Sequence, residues 1–170
     1  MFFCQITAVC EISCNFELYK RNFYDKIKYI LLKKEGMDMA RSEAREVAFC
    51  LLFERSFSSH TNPEDYANLF DEVALTNEDV EYIKSVLEAY ENNREIIDTE
   101  IEAHSRNWKL SRMPRADLSV MRLAVCEMMY SRDVPAKVAV NEAINLAKVY
   151  CADESPSFIN GVLNGCLKEL

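Results

Sequence analysis

The sequence predicts an all-α protein, a compact antiparallel bundle of about six helices, and three observations carry that expectation. Glycine and proline are scarce, at three and four residues in 170, whereas a sheet protein needs turn residues every 8–12 positions or so. Beyond residue 40, apolar residues recur at steps of three and four, the period of a helix with one face buried. Hydrophobic residues make up 49% of the chain, ample for the core of one domain. No run of about 18 apolar residues occurs, so no segment reads as a membrane span.

Residues 1–38 stand apart as an N-terminal extension, with 39–170 as the helical domain. The extension carries six basic and five acidic residues, so the formal charge of −8 becomes −9 over 39–170. Its apolar start, MFFCQITAVC, lacks the basic region of a secretory signal, and Glu11 follows closely. Lys33-Lys34-Glu35-Gly36 must be encoded AAR-AAR-GAR-GGN, a purine-rich stretch just before Met37 and Met39. Such a stretch resembles a bacterial ribosome-binding site, and translation is expected to begin at Met37 or Met39. The alternative is an extra amphipathic helix over about 16–34, with Phe16, Tyr19, Phe23, Ile27 and Ile30 on one face.

The first firm helix is expected over 41–57, with Ala44, Val47, Ala48, Leu51 and Leu52 inward and Ser42 as its cap. A polar loop over 56–62 leads to Pro63, well placed to open a short helix to about 73. Thr76 or Asn77 then caps a long helix whose first turn holds Glu78 and Asp79, complementing the helix dipole. Val80, Ile83, Leu87, Tyr90, Ile97, Ile101 and His104 form its seam, interrupted at Arg94. Such a seam lines the protein's own core or a coiled-coil partner, and the core is favoured here. Pro114 starts the next helix, with Leu118, Met121, Val125 and Met128 as its stripe. Pro135 opens another, with Val138, Ala143, Ile144 and Ala147 inward, and Pro156 suits the first turn of a last helix over about 157–169.

The chemistry-bearing residues argue against catalysis and metal binding. None of the seven cysteines forms a Cys-x-x-Cys pair, and neither His60 nor His104 lies near a cysteine in the sequence. No metal or cofactor is therefore expected. Reduced cysteines inside apolar patterns behave as small hydrophobes and suit a cytoplasmic protein. No glycine-rich phosphate loop, nucleophile elbow or histidine–acid constellation appears, so no enzyme is expected. Gly161, inside a helix at a cost of about 1 kcal/mol against alanine, is expected to admit another backbone closely. Asn141 and Glu142 interrupt an apolar stretch and are expected to form a polar clamp between helices, with Arg122 as partner.

Four motifs then bring in a family. Met121-Arg122-Leu123-Ala124-Val125-Cys126-Glu127-Met128 resembles the Leu-Arg-x-Ala-x-x-Glu-Leu segment of NusB proteins. Asp133-Val134-Pro135 follows at the family's distance. Val138-Ala139-Val140-Asn141-Glu142-Ala143 with Leu146-Ala147-Lys148 is similar to the next element, and Phe158-Ile159-Asn160-Gly161-Val162-Leu163 to the last. The resemblance covers about residues 40–169 and implies a helical antitermination factor. Such a factor binds boxA-type single-stranded RNA together with the small ribosomal protein NusE, within the RNA polymerase antitermination complex.

The resemblance also implies the contacts: Arg41 and Arg45 from a thinned N-terminal arginine run, and Phe158 as a platform for an unpaired base. Arg112, Arg115 and Asn160 are further candidates for RNA or partner contact. Arg112 and Arg115 belong to a basic stretch that also holds Arg106, Lys109 and Arg122, with Trp108 among them. Those cations serve either phosphates or the acidic helix before them. Phosphate binding draws on lysine and arginine, so a net charge of −9 implies weak RNA affinity alone and a basic partner. One alternative remains, a helical protein-interaction module without RNA contact; the NusB-like domain of a ribosomal RNA methyltransferase is not expected, since its catalytic domain would need sequence beyond Leu170. Mass spectrometry of the native protein checks the start site. An N-terminal peptide beginning at Met37 or Met39 is expected, and one beginning earlier refutes it.

Overall fold

The computed structural model describes residues 41–57, 76–106 and 108–169. The extension and the helix expected over 63–73 lie outside the described residues. Five α-helices follow in order: α1 Arg41–Arg55, α2 Asn77–His104, α3 Arg115–Tyr130, α4 Ala136–Tyr150 and α5 Ser155–Glu169, with a 3-10 turn over Leu110–Arg112 before α3. Among the described residues no helix is long and apolar enough to cross a membrane.

Local chemistry sets the ends of these helices. Thr76 caps α2, its hydroxyl oxygen accepting from the Asp79 N–H at 3.2 Å, which satisfies one of the orphan donors of the first turn. Pro114 and Pro135 sit just before α3 and α4 and accept their first helical bonds. Ser42 lies inside α1 and is not its cap. α2 kinks at Asn93, next to the Arg94 that interrupts its apolar seam: φ there is −130° and the side-chain amide donates to the Ala89 carbonyl.

The core is built around α3. Every residue from Asp117 to Glu127 is buried, because α1, α2, α4 and α5 all pack against this one helix. The four-residue stripe read from the sequence understates this burial. Val120, Leu123, Ala124 and Cys126 are as deeply enclosed as Met121 and Val125. A helix apolar on all sides is one surrounded on all sides. In α4, Ala139, Val140, Ala143, Leu146, Ala147 and Tyr150 face inward, whereas Val138 is 43% exposed and not inward as expected.

Three ionisable groups enter the core on α3, and each meets a different partner. Asp117 accepts from the Ser155 hydroxyl of α5 at 2.7 Å. The Arg122 guanidinium makes a two-pronged pair with Asp98 of α2, both bonds 2.7 Å, and lies over the Tyr90 ring. Glu127 receives Arg45 Nε of α1 at 2.9 and 3.1 Å and the Tyr82 hydroxyl of α2 at 2.8 Å. Arg45 also reaches Glu142 of α4 at 3.4 Å. The polar clamp expected at Glu142 thus exists, but its cation is Arg45 and not Arg122, while Asn141 is exposed.

Burial pushes the Glu127 carboxyl upward, and the Arg45 charge and the Tyr82 and Arg45 hydrogen bonds pull against it. Burial likewise lifts the Cys126 thiol to about 12, consistent with a cysteine that packs and does not react. Arg45→Met, which strands the Glu127 charge, should cost about 3–5 kcal/mol in urea denaturation. With its cation gone, Glu127 has a folded pKa above its unfolded one and binds a proton more tightly when folded. The variant should therefore regain stability as pH falls from above the folded pKa towards the ordinary carboxylate range. A loss independent of pH would contradict this account.

Candidate nucleic-acid interface

Two groups of predicted contacts occupy opposite ends of α3. Phe158 opens the first group. The Ser155–Asp117 bond holds the start of α5 against the start of α3, and Phe158 sits one turn in, half-buried against the core. Its ring meets Trp108, with centroids 6.1 Å apart and planes at 52°. Trp108 is 54% exposed, so the pair presents aromatic surface to solvent over an anchored base.

The turn that carries Trp108 is built by backbone strain and a serine. Ser105 ends α2, its N–H donating to the Glu102 carbonyl, and its hydroxyl lies 2.6 Å from the Trp108 carbonyl. Arg106 then adopts φ 50°, a left-handed conformation that normally favours glycine or asparagine after a helix. A non-glycine held there is strained, a state that clusters at functional sites. Lys109 caps the 3-10 turn and Arg112 ends it, and Arg106, Lys109 and Arg112 are all exposed. None of the three pairs with an acid among the described residues at bridging distance.

The other candidates distribute unevenly. Arg115 is exposed but engaged, donating to the Ser56 carbonyl at 3.1 Å with its guanidinium 4.2 Å above the Phe57 ring. It steadies the end of α1 beside the start of α3. Asn160 is exposed and its side-chain oxygen accepts from Asn164 at 2.7 Å. Two residues along a helix do not share a face, so Asn160 does not extend the Phe158 ledge. Arg122, part of the basic stretch in sequence, belongs to the core.

Arg41 and Arg45 lie at the far end, near Glu127, which is ten residues and about 15 Å along α3 from Asp117. Arg41 is exposed, its guanidinium 4.7 Å from the Tyr82 ring centre. Arg45 is 3% exposed and committed to Glu127 and Glu142. Expected at the RNA surface, Arg45 stands here as a core cation, held inward because Glu127 is buried and needs it. Gly161 is also corrected. A Cβ there would meet nothing within 4 Å, and the close approach occurs instead at Gly165, where one would lie 2.9 Å from the His104 ring. Trp108 is the partner that sequence reasoning placed among the cations without pairing it to Phe158. The signal was its position in a short non-helical turn, where a large apolar residue has little core to enter.

The comparisons with known proteins agree with this architecture. The NusB family model matches residues 42–168. The transcription antitermination protein NusB of Clostridium novyi (strain NT) is 43% identical over 132 residues, covering 76% of this chain and 99% of that protein. The protein of the same name from Acetivibrio thermocellus is 41% identical over 130 residues, covering 76% and 90%. Among solved structures, T. maritima NusB superposes with a TM-score of 0.70 at 29% identity, over 78% of this chain and 94% of that one. A structure of antitermination factors NusB and NusE in complex with dsRNA shares the fold, with a TM-score of 0.67 at 24% identity over 78% and 100% of the two chains. On the match to the family model and the identity to these relatives, the chain belongs to the NusB family.

Proposed function

We propose that this protein is a cytoplasmic transcription antitermination factor that binds boxA-type single-stranded RNA jointly with NusE, supporting transcription of ribosomal RNA operons. The observation that carries the RNA contact is the Trp108–Phe158 pair, aromatic surface held on a rigid helix start and rimmed by three exposed cations. Every base has a π-face, so an unpaired base stacks on such a ledge whatever its identity. A paired base is already stacked in its helix, which favours single strands here. Arg106, Lys109 and Arg112 supply the phosphate contacts, with Phe158 as the central residue, while Arg115 holds the end of α1 beside the start of α3. Arg41, at the opposite end, serves a longer RNA or the partner.

The partner's place follows from charge. On α2, Glu78, Glu81, Glu88, Glu91, Glu95 and Glu102 are all exposed. A face of this sign draws a basic protein by long-range attraction that salt weakens. The basic partner then brings the phosphate-facing charge that a −8 chain lacks.

Labelled boxA RNA titrated with and without NusE tests the division. Weak binding alone and marked tightening with NusE are expected, and equal affinity in both refutes the partner's role. In the complex, Phe158→Ala should lose about 1–3 kcal/mol, about 5- to 150-fold in affinity. Trp108 is the one tryptophan of the chain, so its fluorescence should change on RNA binding. Arg106→Gly relieves the left-handed strain while deleting a charge. It should leave stability unchanged or higher, yet weaken RNA binding and flatten the log–log salt dependence by about one unit. Failure of RNA to crosslink at Phe158 even with NusE present would favour a helical protein-interaction module instead.

A further inference from the structure

We propose that the C-terminal ends of α2 and α5 form a Zn²⁺ site built from Glu100, His104, Cys166 and Glu169. Glu100 and His104 stand four apart on α2, and Cys166 and Glu169 three apart on α5, so each pair shares a helix face. The two helices pack together and bring those faces into contact. His104 Nε2 lies 3.1 Å from Glu100 Oε1 and 3.6 Å from Glu169 Oε2. The ligand atoms of Glu100, His104 and Cys166 all lie within 4.8 Å of one another. In a tetrahedral zinc site, bonds of about 2.0–2.3 Å place ligand atoms about 3.3–3.8 Å apart. The nitrogen already stands near that spacing from each carboxylate, and the sulfur needs to close by no more than about 1–1.5 Å.

Two further features separate this cluster from an ordinary surface ion pair. Cys166 is fully enclosed, at 0% exposure, and among the described residues its thiol makes only one long hydrogen-bond approach, 4.0 Å from the Glu100 backbone carbonyl. A buried thiol within 4.8 Å of an imidazole nitrogen and a carboxylate oxygen, with no strong hydrogen bond among the described residues, is a ligand in waiting. Gly165 is the second feature. Any side chain there would drive a Cβ to 2.9 Å from His104 Cγ and Nδ1, so the glycine lets the imidazole lie against α5 beside Cys166.

The donor set selects the metal. One imidazole nitrogen, one thiolate and carboxylate oxygens suit Zn²⁺, whereas Mg²⁺ and Ca²⁺ take oxygen ligands. On binding, the Cys166 proton leaves to solvent, His104 binds through the Nε2 lone pair, and the exposed Glu169 swings in. Binding is therefore weaker at low pH. Four protein ligands leave no open position, so the ion is structural. It ties α5 to the end of α2, four residues before Trp108, and so braces the turn that carries the aromatic pair. Glu100 and Cys166 are 66 positions apart, which is why ligand spacing along the chain does not reveal them.

Titration of the full chain with Co²⁺ and then Zn²⁺, under reducing conditions, tests the site. One Co²⁺ should produce tetrahedral visible bands and a thiolate-to-cobalt charge-transfer band, both displaced by Zn²⁺. Cys166→Ser and His104→Gln should each abolish the charge-transfer band or weaken zinc binding by at least about tenfold, with helical content unchanged by circular dichroism. If either variant loses helix, Glu169→Gln at the exposed rim replaces it and should weaken zinc binding in the same way, and unchanged affinity there counts against the site. No saturable zinc binding at micromolar concentration, or a charge-transfer band that survives Cys166→Ser, overturns the proposal.

Discussion

Complete enclosure of α3 is the constraint on which the rest of the bundle depends. An apolar helix surrounded by four others could rotate or slide with little change in buried area, since hydrophobic contact is non-directional. Asp117, Arg122 and Glu127 remove that freedom. They are spaced five residues apart, and at 100° per residue each points about 140° further round the axis than the last. Each can be satisfied in only one rotational setting, against Ser155, Asp98 and Arg45 respectively. The bonds are buried, so a setting that leaves any one unmade strands a polar group away from water. The apolar contacts supply the driving force of the bundle, and these three groups supply its register.

That same arrangement decides what the surface can offer. Two arginines that a sequence reading assigns to a basic exterior, Arg45 and Arg122, are spent on the buried Glu127 and the half-buried Asp98. Their removal from the surface leaves Arg106, Lys109 and Arg112 exposed along the turn that joins α2 to α3. The position of that turn is itself a product of the core. Ser155 is tied to Asp117, so α5 must start beside the start of α3, and Phe158 must emerge next to the chain that enters α3. Trp108 lies on that chain. The aromatic ledge is therefore a consequence of the register bonds.

Helix boundaries were legible because they depend on single residues with local chemistry. Thr76, Pro114, Pro135 and Pro156 stand at or beside the starts where their side chains predict them. The membership of each face was less legible. Along Leu118–Cys126 nearly every residue is apolar, a run that signals burial on all sides, yet selecting four positions at helical spacing hides it. Val138 fits a helical stripe equally well and is exposed, since spacing alone does not say how wide the covered face is. Charges were the hardest. Nothing local distinguishes Arg45, which is buried, from Arg41, which is not, four residues earlier on the same helix. The distinction rests on Glu127, 82 positions away. Gly161 and Gly165 show the same limit, because the His104 ring that needs a glycine opposite it comes from another helix.

A chain of net charge −8 that belongs to an RNA-associated family poses an electrostatic problem that no rearrangement of its own residues solves. The three exposed cations near Trp108 face six exposed glutamates on α2 alone, and phosphate feels the sum beyond a few ångströms unless salt screens it. Short-range stacking is insensitive to that sum, which makes an aromatic pair the suitable recognition element for an acidic protein. Long-range attraction for RNA must then come from elsewhere, and the acidic face that repels phosphate is the one that recruits a basic protein. Repulsion of RNA phosphate and recruitment of a basic partner thus arise from the same charges, so the proposed RNA site is one that assembly completes.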